Sequence, residues 1–137
     1  MPIIFRYVPD LKLVVFVHEG QVADEEFSSS YQSFFDRPGL DRFCNYLVDL
    51  RHADSAPRSS EALRRLARYI LEKHGNSPVE INIAVVAPQN VSFGLARMFE
   101  VFSCGVPWRF NVFRETKPAL EWLDIPESII DQMQPGL

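Results

Sequence analysis

The residue types that could do acid–base chemistry lie at or after the ends of two apolar runs. Asp49, Arg51 and His52 fall at the end of the run 43–50, and Arg114 follows a later run. Asp49 paired with His52 or Arg114 would suit proton transfer in a small enzyme. Ion pairs at the rim of a sheet explain the same residues, and we favour that interpretation because ionisable clusters mark functional sites only statistically.

A second candidate region follows the apolar run that ends at Ala87. Asn90 is a common N-cap residue and predicts a helix whose first backbone N–H groups, near Ser92, could bind an anion. Phe93 and Gly94 come next. Because glycine inside a helix costs about 1 kcal/mol relative to alanine, we expect a close approach at Gly94, most simply to the sheet, otherwise to another chain or a ligand.

Familiar catalytic and metal-binding signatures do not occur in this sequence. It has no P-loop, GxGxxG, GxSxG or HExxH pattern, and its three histidines stand singly. Cys44 and Cys104 lie far apart and are expected to be small, buried side chains in a reducing compartment, with the cytoplasm as the default location. We therefore predict no metal and no cofactor.

Length and composition are those of an ordinary globular domain. The 137 residues predict one domain over 1–137, and the net charge of −4 argues against a general affinity for nucleic acid. The first residues do not resemble a signal peptide, and the apolar runs are far shorter than the roughly 20 residues that span a bilayer. The chain is not expected to cross a membrane.

Hydrophobic periodicity predicts an α/β fold. Two strands separated by Pro9-Asp10 must form an antiparallel hairpin, and the alternating strands and helices that follow predict parallel pairing. The expected architecture is a mixed five-stranded sheet with helices on its faces. The predicted strands are 3–8, 11–18, 43–50, 81–87 and 110–113, and helices begin at Asp24, at Ser59 or Ser60, at Asn90 and at Thr116, with a last helical turn from Pro126.

The helix that begins at Asn90 is apolar on more than one side. Its predicted inward residues are Val91, Leu95, Met98, Phe99 and Phe102. Its other face carries Phe93, Ala96 and Val101, which with Trp108 would form a patch for a partner subunit or an apolar ligand if nothing else covers them.

Three segments carry a resemblance to a known family. They are Leu47-Val48-Asp49-Leu50, the run 84–87 followed by 93–100, and Val112-Phe113-Arg114 followed by 119–123. Over nearly its whole length the chain resembles the SpoIIAA-like proteins, small domains often labelled STAS/SEC14-like. The resemblance implies the SpoIIAA-like fold, and it implies little about activity.

Relatives of the anti-sigma-factor antagonist type are non-enzymatic and bind a partner kinase that phosphorylates a serine at the start of a helix. Counting from Asp49, the resemblance places Ser59 near that position. A phosphate there would suit the helix dipole. The family's Asp-Ser-Ser-Gly signature is absent, however, and an ordinary N-cap serine is the interpretation that we favour.

The sequence therefore favours a non-catalytic binding or regulatory domain that acts through protein contacts and forms a homodimer. The alternative is a carrier or sensor of a small apolar ligand or lipid, which the SEC14-like label suggests, although so short a chain leaves little material for a pocket. A small enzyme using Asp49, His52 and Arg114 is the third hypothesis, because a fold supplies no reaction by itself.

Overall fold

In the part of the chain that the structure describes, five strands form a single sheet in the order of the sequence. In a computed structural model that describes residues 3–39, 43–76 and 80–133, the strands are β1 (Ile3–Val8), β2 (Leu13–Gln21), β3 (Asn45–Asp54), β4 (Ile81–Val86) and β5 (Trp108–Phe113). A single 3-10 turn, Pro9–Leu11, reverses the chain, so β1 and β2 pair antiparallel. The other neighbouring strands are parallel, and the predicted mixed five-stranded sheet is confirmed.

Among the described residues, three helices cover one face of the sheet and one helix covers the other. They are α1 (Asp24–Phe35), α2 (Ser60–His74), α3 (Asn90–Phe102) and α4 (Thr116–Leu123), followed by a 3-10 helix, Glu127–Met133. Because the parallel strands advance in one direction across the sheet, right-handed crossovers place α1, α2 and α3 on the same side. α4 and the 3-10 helix pack on the opposite side, so two separate cores flank the sheet.

Strand β3 begins and ends later than its hydrophobic pattern predicts. Phe43 lies before the strand with 65% of its surface exposed, and residues 51–54, which lie beyond the predicted strand 43–50, continue it. They pair with the end of β2 after a register shift, in which Glu19 lies opposite His52. Pairing with the long β2 satisfies the polar backbone of this stretch, which a local pattern cannot reveal.

The inward face of helix α3 was predicted only in part. Leu95, Phe99 and Phe102 pack against the core as predicted, but the buried residues of the helix are Ser92 and Ala96. Val91 and Met98, also predicted to point inward, are 53% and 36% exposed. The predicted N-cap is also wrong, because the cap is Gln89 and Asn90 is the first helical residue. A helix that is apolar nearly all round has no periodicity strong enough to fix its inward face.

Three further observations concern the cysteines, membrane-spanning helices and metal-binding clusters. Cys44 is buried as expected, but Cys104 is exposed, and neither of the two forms a disulfide. Within the described ranges, no helix is long and apolar enough to cross a membrane. The same ranges bring no three His, Cys, Asp or Glu side chains together in a way that could hold a metal ion.

Candidate functional site

A cavity of about 110 Å³ lies between the sheet and the three-helix layer. Its floor comes from all strands but β1, and α1, α2 and α3 provide its walls. Most of its surface is apolar, with a few polar groups converging from different elements. Its aromatic lining residues are Phe16, Phe27, Tyr31, Phe35, Tyr46, Phe99, Trp108 and Phe110, and its polar ones besides Tyr31 and Tyr46 are His18, Ser55, Arg58 and Ser92.

Two of the four α3 residues that line the cavity are small. Ser92 and Ala96 lie beside the larger Leu95 and Phe99 of the same helix, and neither small side chain is large enough to fill the space. Beneath them, Val48 and Leu50 are only half-buried although they lie on the central strand of the sheet. Protein interiors normally pack without gaps larger than a water molecule. A space of this size is therefore a feature of this face, and the expectation of little room for a pocket is wrong.

His18 and Tyr31 form a buried hydrogen-bonded pair at one side of the cavity. The His18 Nε2 atom lies 2.6 Å from the Tyr31 hydroxyl, and both side chains are more than 90% buried. Burial lowers the pKa of His18 to about 3, and the positive charge of Arg58 acts in the same direction. Burial also raises the pKa of Tyr31 well above its ordinary value, against the smaller effect of Arg58. Both groups are therefore uncharged at neutral pH.

Arg58 brings a positive charge to the wall of the cavity. Its side chain is 9% exposed and its guanidinium carbon lies 4.0 Å from the centroid of the Phe27 ring, a cation–π geometry. On its other side, Nη1 donates to Asp24 Oδ1 at 2.7 Å. Burial disfavours the charge on Asp24, but the hydrogen bonds from Ser59 and Arg58 and the charge of Arg58 outweigh it, so the pKa of Asp24 lies below its usual value.

Ser59 caps α2 in the ordinary way, as the sequence favoured. Its Oγ accepts a hydrogen bond from the Ala62 backbone N–H at 3.1 Å and donates to Asp24 Oδ2 at 2.6 Å. A phosphate on this oxygen would face the Asp24 carboxylate at contact distance, where like charges repel. The geometry therefore gives the phosphorylation switch no support.

Ser92 is the one predicted site residue that reaches the cavity. It is 1% exposed, and its Oγ lies 2.7 Å from the Oγ of Ser55, with either hydroxyl able to donate. Ser55 lies just after β3 and Ser92 in the first turn of α3. The pair therefore joins two segments that are 37 residues apart and gives the cavity a second hydrogen-bonded polar pair besides His18 and Tyr31.

Asp49 and Arg51 form an ion pair of their own. Arg51 Nε and Nη2 donate to the two carboxylate oxygens of Asp49 at 3.0 and 3.1 Å, and the side chain of Asp49 is fully buried. Strand alternation points Asp49 to the α4 side with Leu47, away from Val48 and Leu50. His52 is exposed. Asp49 therefore pairs with Arg51. It does not pair with His52 or Arg114, the two acid–base partners predicted from the sequence.

Arg114 belongs to a third, separate cluster of side chains at the start of α3. Its Nη1 donates to Asn90 Oδ1 at 2.7 Å and to the Pro88 carbonyl at 3.2 Å, and its guanidinium lies 4.1 Å from the centroid of the Phe93 ring. Asn90 and Phe93 thus fix the position of Arg114. A β-carbon added at Gly94 would meet no atom within 4 Å, so the close approach to the sheet predicted there is wrong.

Four of the cavity residues described above were not predicted as site residues: His18, Tyr31, Ser55 and Arg58. A signal for two of them was present in the sequence. His18 continues the inward alternation of Val14 and Phe16 on β2, and Tyr31 lies in the inward aromatic stripe of α1. Two polar-tipped side chains at inward positions of neighbouring elements could have predicted the pair. Ser55 and Arg58 lie in a stretch without periodicity and gave no such signal.

Comparisons with known proteins bear on the fold. No protein-family model and no curated protein matches the sequence. Among solved structures, the chain is similar to an uncharacterized protein of the DUF3478 family, with a SpoIIAA-like fold, from Shewanella loihica PV-4. The TM-score is 0.55 and the identity 16%, over 88% of this chain and 91% of that chain. Together with the strand order and the helix placement, this similarity shows that the chain has the SpoIIAA-like fold predicted from its sequence.

Proposed function

We propose that this chain is a non-catalytic binding domain whose ligand is a small, mostly apolar molecule held in the cavity. The observation that carries the proposal is the cavity itself, with aromatic and aliphatic walls and a few polar groups contributed by separate elements. Such a lining is typical of small-molecule sites, where apolar walls provide affinity and few polar groups fix orientation. This is the carrier or sensor hypothesis of the sequence, now preferred to protein contacts alone.

The volume sets the size of the ligand. An engineered apolar cavity of about 150 Å³ binds benzene, and the cavity here measures about 110 Å³. A single ring or a short branched chain therefore matches the space. We therefore propose a ring-sized ligand, which narrows the earlier expectation of an apolar molecule or lipid.

The polar groups of the cavity suit binding better than catalysis. A general base works best when its pKa lies near the operating pH, but the pKa of His18 is lowered to about 3. The Ser55 and Ser92 hydroxyls bond to each other, so neither serine is paired with a base among these residues. The Tyr31 hydroxyl does contact the His18 ring, but the lowered pKa of His18 makes it a poor base for activating that hydroxyl. These polar groups are better placed to orient a ligand than to transfer its protons.

Protein contact is the second candidate function, and one surface favours it. The outward face of α3 carries Val91, Met98 and Val101, which are 53%, 36% and 68% exposed, with Gly94 among them. An exposed apolar helix face suits a second copy of the chain or another protein. The homodimer, the protein partner and a regulatory role in the cytoplasm are accordingly kept as a second proposal, compatible with ligand binding.

The test of the ligand proposal is to fill the cavity. Native mass spectrometry of the gently purified protein reports any bound small molecule, and ligand-observed NMR with toluene tests the empty protein. Ala96→Leu places three additional carbon atoms in the space, and we expect it to abolish toluene binding without unfolding the protein. Val48→Phe fills the space from the sheet and should do the same.

The matched control is Gly94→Ala, which adds a methyl group to the opposite face of the same helix and should leave toluene binding unchanged. Circular dichroism confirms that each variant is folded. Equal toluene binding by the wild type and both filled variants would contradict the proposal, because the compound would then bind elsewhere.

A further inference from the structure

Arg58 stands out among the residues that line the cavity because of its charge. With His18 and Tyr31 uncharged, Arg58 is the one charged side chain among the described lining residues at neutral pH. No Asp or Glu is among them. The wall of the cavity therefore carries a positive charge without a negative one beside it inside the cavity.

The carboxylate that does contact Arg58 lies outside the cavity and is shared. Asp24 is 26% exposed and accepts hydrogen bonds from the backbone N–H and the hydroxyl of Ser59 as well as from Arg58. In the described part of the chain, Nη1 is the only side-chain nitrogen of Arg58 that donates to a protein oxygen. A guanidinium has five N–H donors in a planar fork, so most of its hydrogen-bonding capacity remains for another acceptor.

The charge of Arg58 is felt inside the cavity. Besides burial, its positive charge lowers the pKa of His18 and opposes the rise in the pKa of Tyr31, which shows that both groups experience a positive potential. Such a potential favours an anion and disfavours a cation at the same place. Phe27, under the guanidinium, holds the fork against the aromatic wall.

We propose that the ligand of this cavity is a small aromatic or aliphatic carboxylic acid, whose apolar part fills the cavity and whose carboxylate binds the guanidinium of Arg58. This inference rests on the proposed function and adds the chemical class of the ligand. The planar guanidinium fork matches the two oxygens of a carboxylate and can bind both at once. The Ser55–Ser92 hydroxyl pair and the neutral His18–Tyr31 pair supply further donors along the same cavity.

The test compares three ring compounds of similar size that differ in charge and polarity: benzoate, benzamide and toluene. Their dissociation constants are measured at pH 7 by ligand-observed NMR and calorimetry. A hydrogen bond to a charged group is worth enough to change affinity by about 10- to 100-fold. We expect benzoate to bind that much more tightly than benzamide, and Arg58→Gln to remove the difference while toluene binding is kept.

Control variants separate ligand recognition from a structural role of Arg58. Arg65→Gln removes an exposed arginine of α2 and should keep the preference for benzoate. Asp24→Asn breaks the same ion pair as Arg58→Gln but leaves the cation in place, so it should keep or increase the preference. Arg58→Lys retains the charge and should retain part of the preference, which covers the case in which the glutamine variant folds poorly.

The possible failures point to different conclusions. Equal affinities of the wild type for benzoate and benzamide would overturn the carboxylate assignment and leave the cavity as a site for neutral molecules. The assignment would also be overturned if Asp24→Asn lost the preference for benzoate as completely as Arg58→Gln does. The preference would then depend on the Arg58–Asp24 ion pair and not on the free donors of Arg58. Absence of binding for all three compounds, toluene included, would instead refute the proposed function.

Discussion

Acid should destabilise this protein through His18, and the size of the effect follows from its burial. The pKa of His18 is about 3 in the folded protein and 6.5 in an unfolded chain. Between these two pH values, His18 is protonated in the unfolded state but not in the folded state. The contribution of neutral His18 to the free energy of unfolding is therefore fully present above about pH 6.5 and is lost as the pH decreases towards 3. The slope is about 1.4 kcal/mol per pH unit for one group. At pH 5 the loss from His18 alone is about 2 kcal/mol.

The measurement is urea unfolding at pH 8 and pH 5, followed by circular dichroism. With a urea slope of about 2 kcal/mol/M for a small domain, the loss corresponds to a midpoint about 1 M lower. His18→Gln cannot gain the proton, and we expect its midpoint to fall by about 1 M less than that of the wild type over the same range. His52→Gln, which removes an exposed histidine of β3, is the matched control and should keep the wild-type sensitivity to acid.

Carboxylates also titrate in acid, and they are common to all three proteins, so the comparison isolates the histidine. An equal fall of the midpoint in the wild type and in His18→Gln would refute the reasoning. It would mean that His18 reaches water in the folded protein and that the polar side of the cavity is open to solvent. That result would also weaken the view of His18 and Tyr31 as a neutral pair for ligand binding.

Two further predictions concern helices α3 and α2. Gly94→Ala should stabilise the protein by about 1 kcal/mol, or roughly 3 °C in Tm, because alanine favours the helix and its β-carbon meets no atom within 4 Å. A lower, concentration-dependent Tm in a thermal melt would show instead that a second chain packs on this face. Ser59→Ala should lower the free energy of unfolding by about 1 kcal/mol through loss of the N-cap. Ser60→Ala, the matched change one residue later, should have little effect, and equal losses in urea unfolding would contradict the assignment of the cap.

Much of the fold could be predicted because its signals are local. The hairpin follows from a short turn between two β-rich runs, and the inward stripe of α1 follows from aromatic residues at helical spacing. The errors occur where the local signal is ambiguous or where a distant strand decides the structure. Helix α3 is apolar on two faces, so its periodicity does not choose the inward one. The end of β3 is a strand because it pairs with β2.

The candidate site was predicted less well because its residues were grouped by their position after strands. That rule brought Asp49, Ser92 and Arg114 to one edge of the sheet but did not consider which face each side chain takes. Asp49 belongs to the α4 side, Arg114 is held at the start of α3, and only Ser92 reaches the cavity.

The sequence by itself determined the order of strands and helices and the mixed sheet, because periodicity and turn chemistry act through residues near one another in the chain. The SpoIIAA-like fold was implied by the family resemblance of three of its segments. Only the tertiary structure decided where the site lies. A cavity is the space that remains when side chains from many elements are packed, and its volume depends on which face of α3 turns inward. The placement of Arg58 near His18 and Tyr31 likewise arises from contacts of the segment before α2 with Asp24 and Phe27 of α1, which no local pattern specifies.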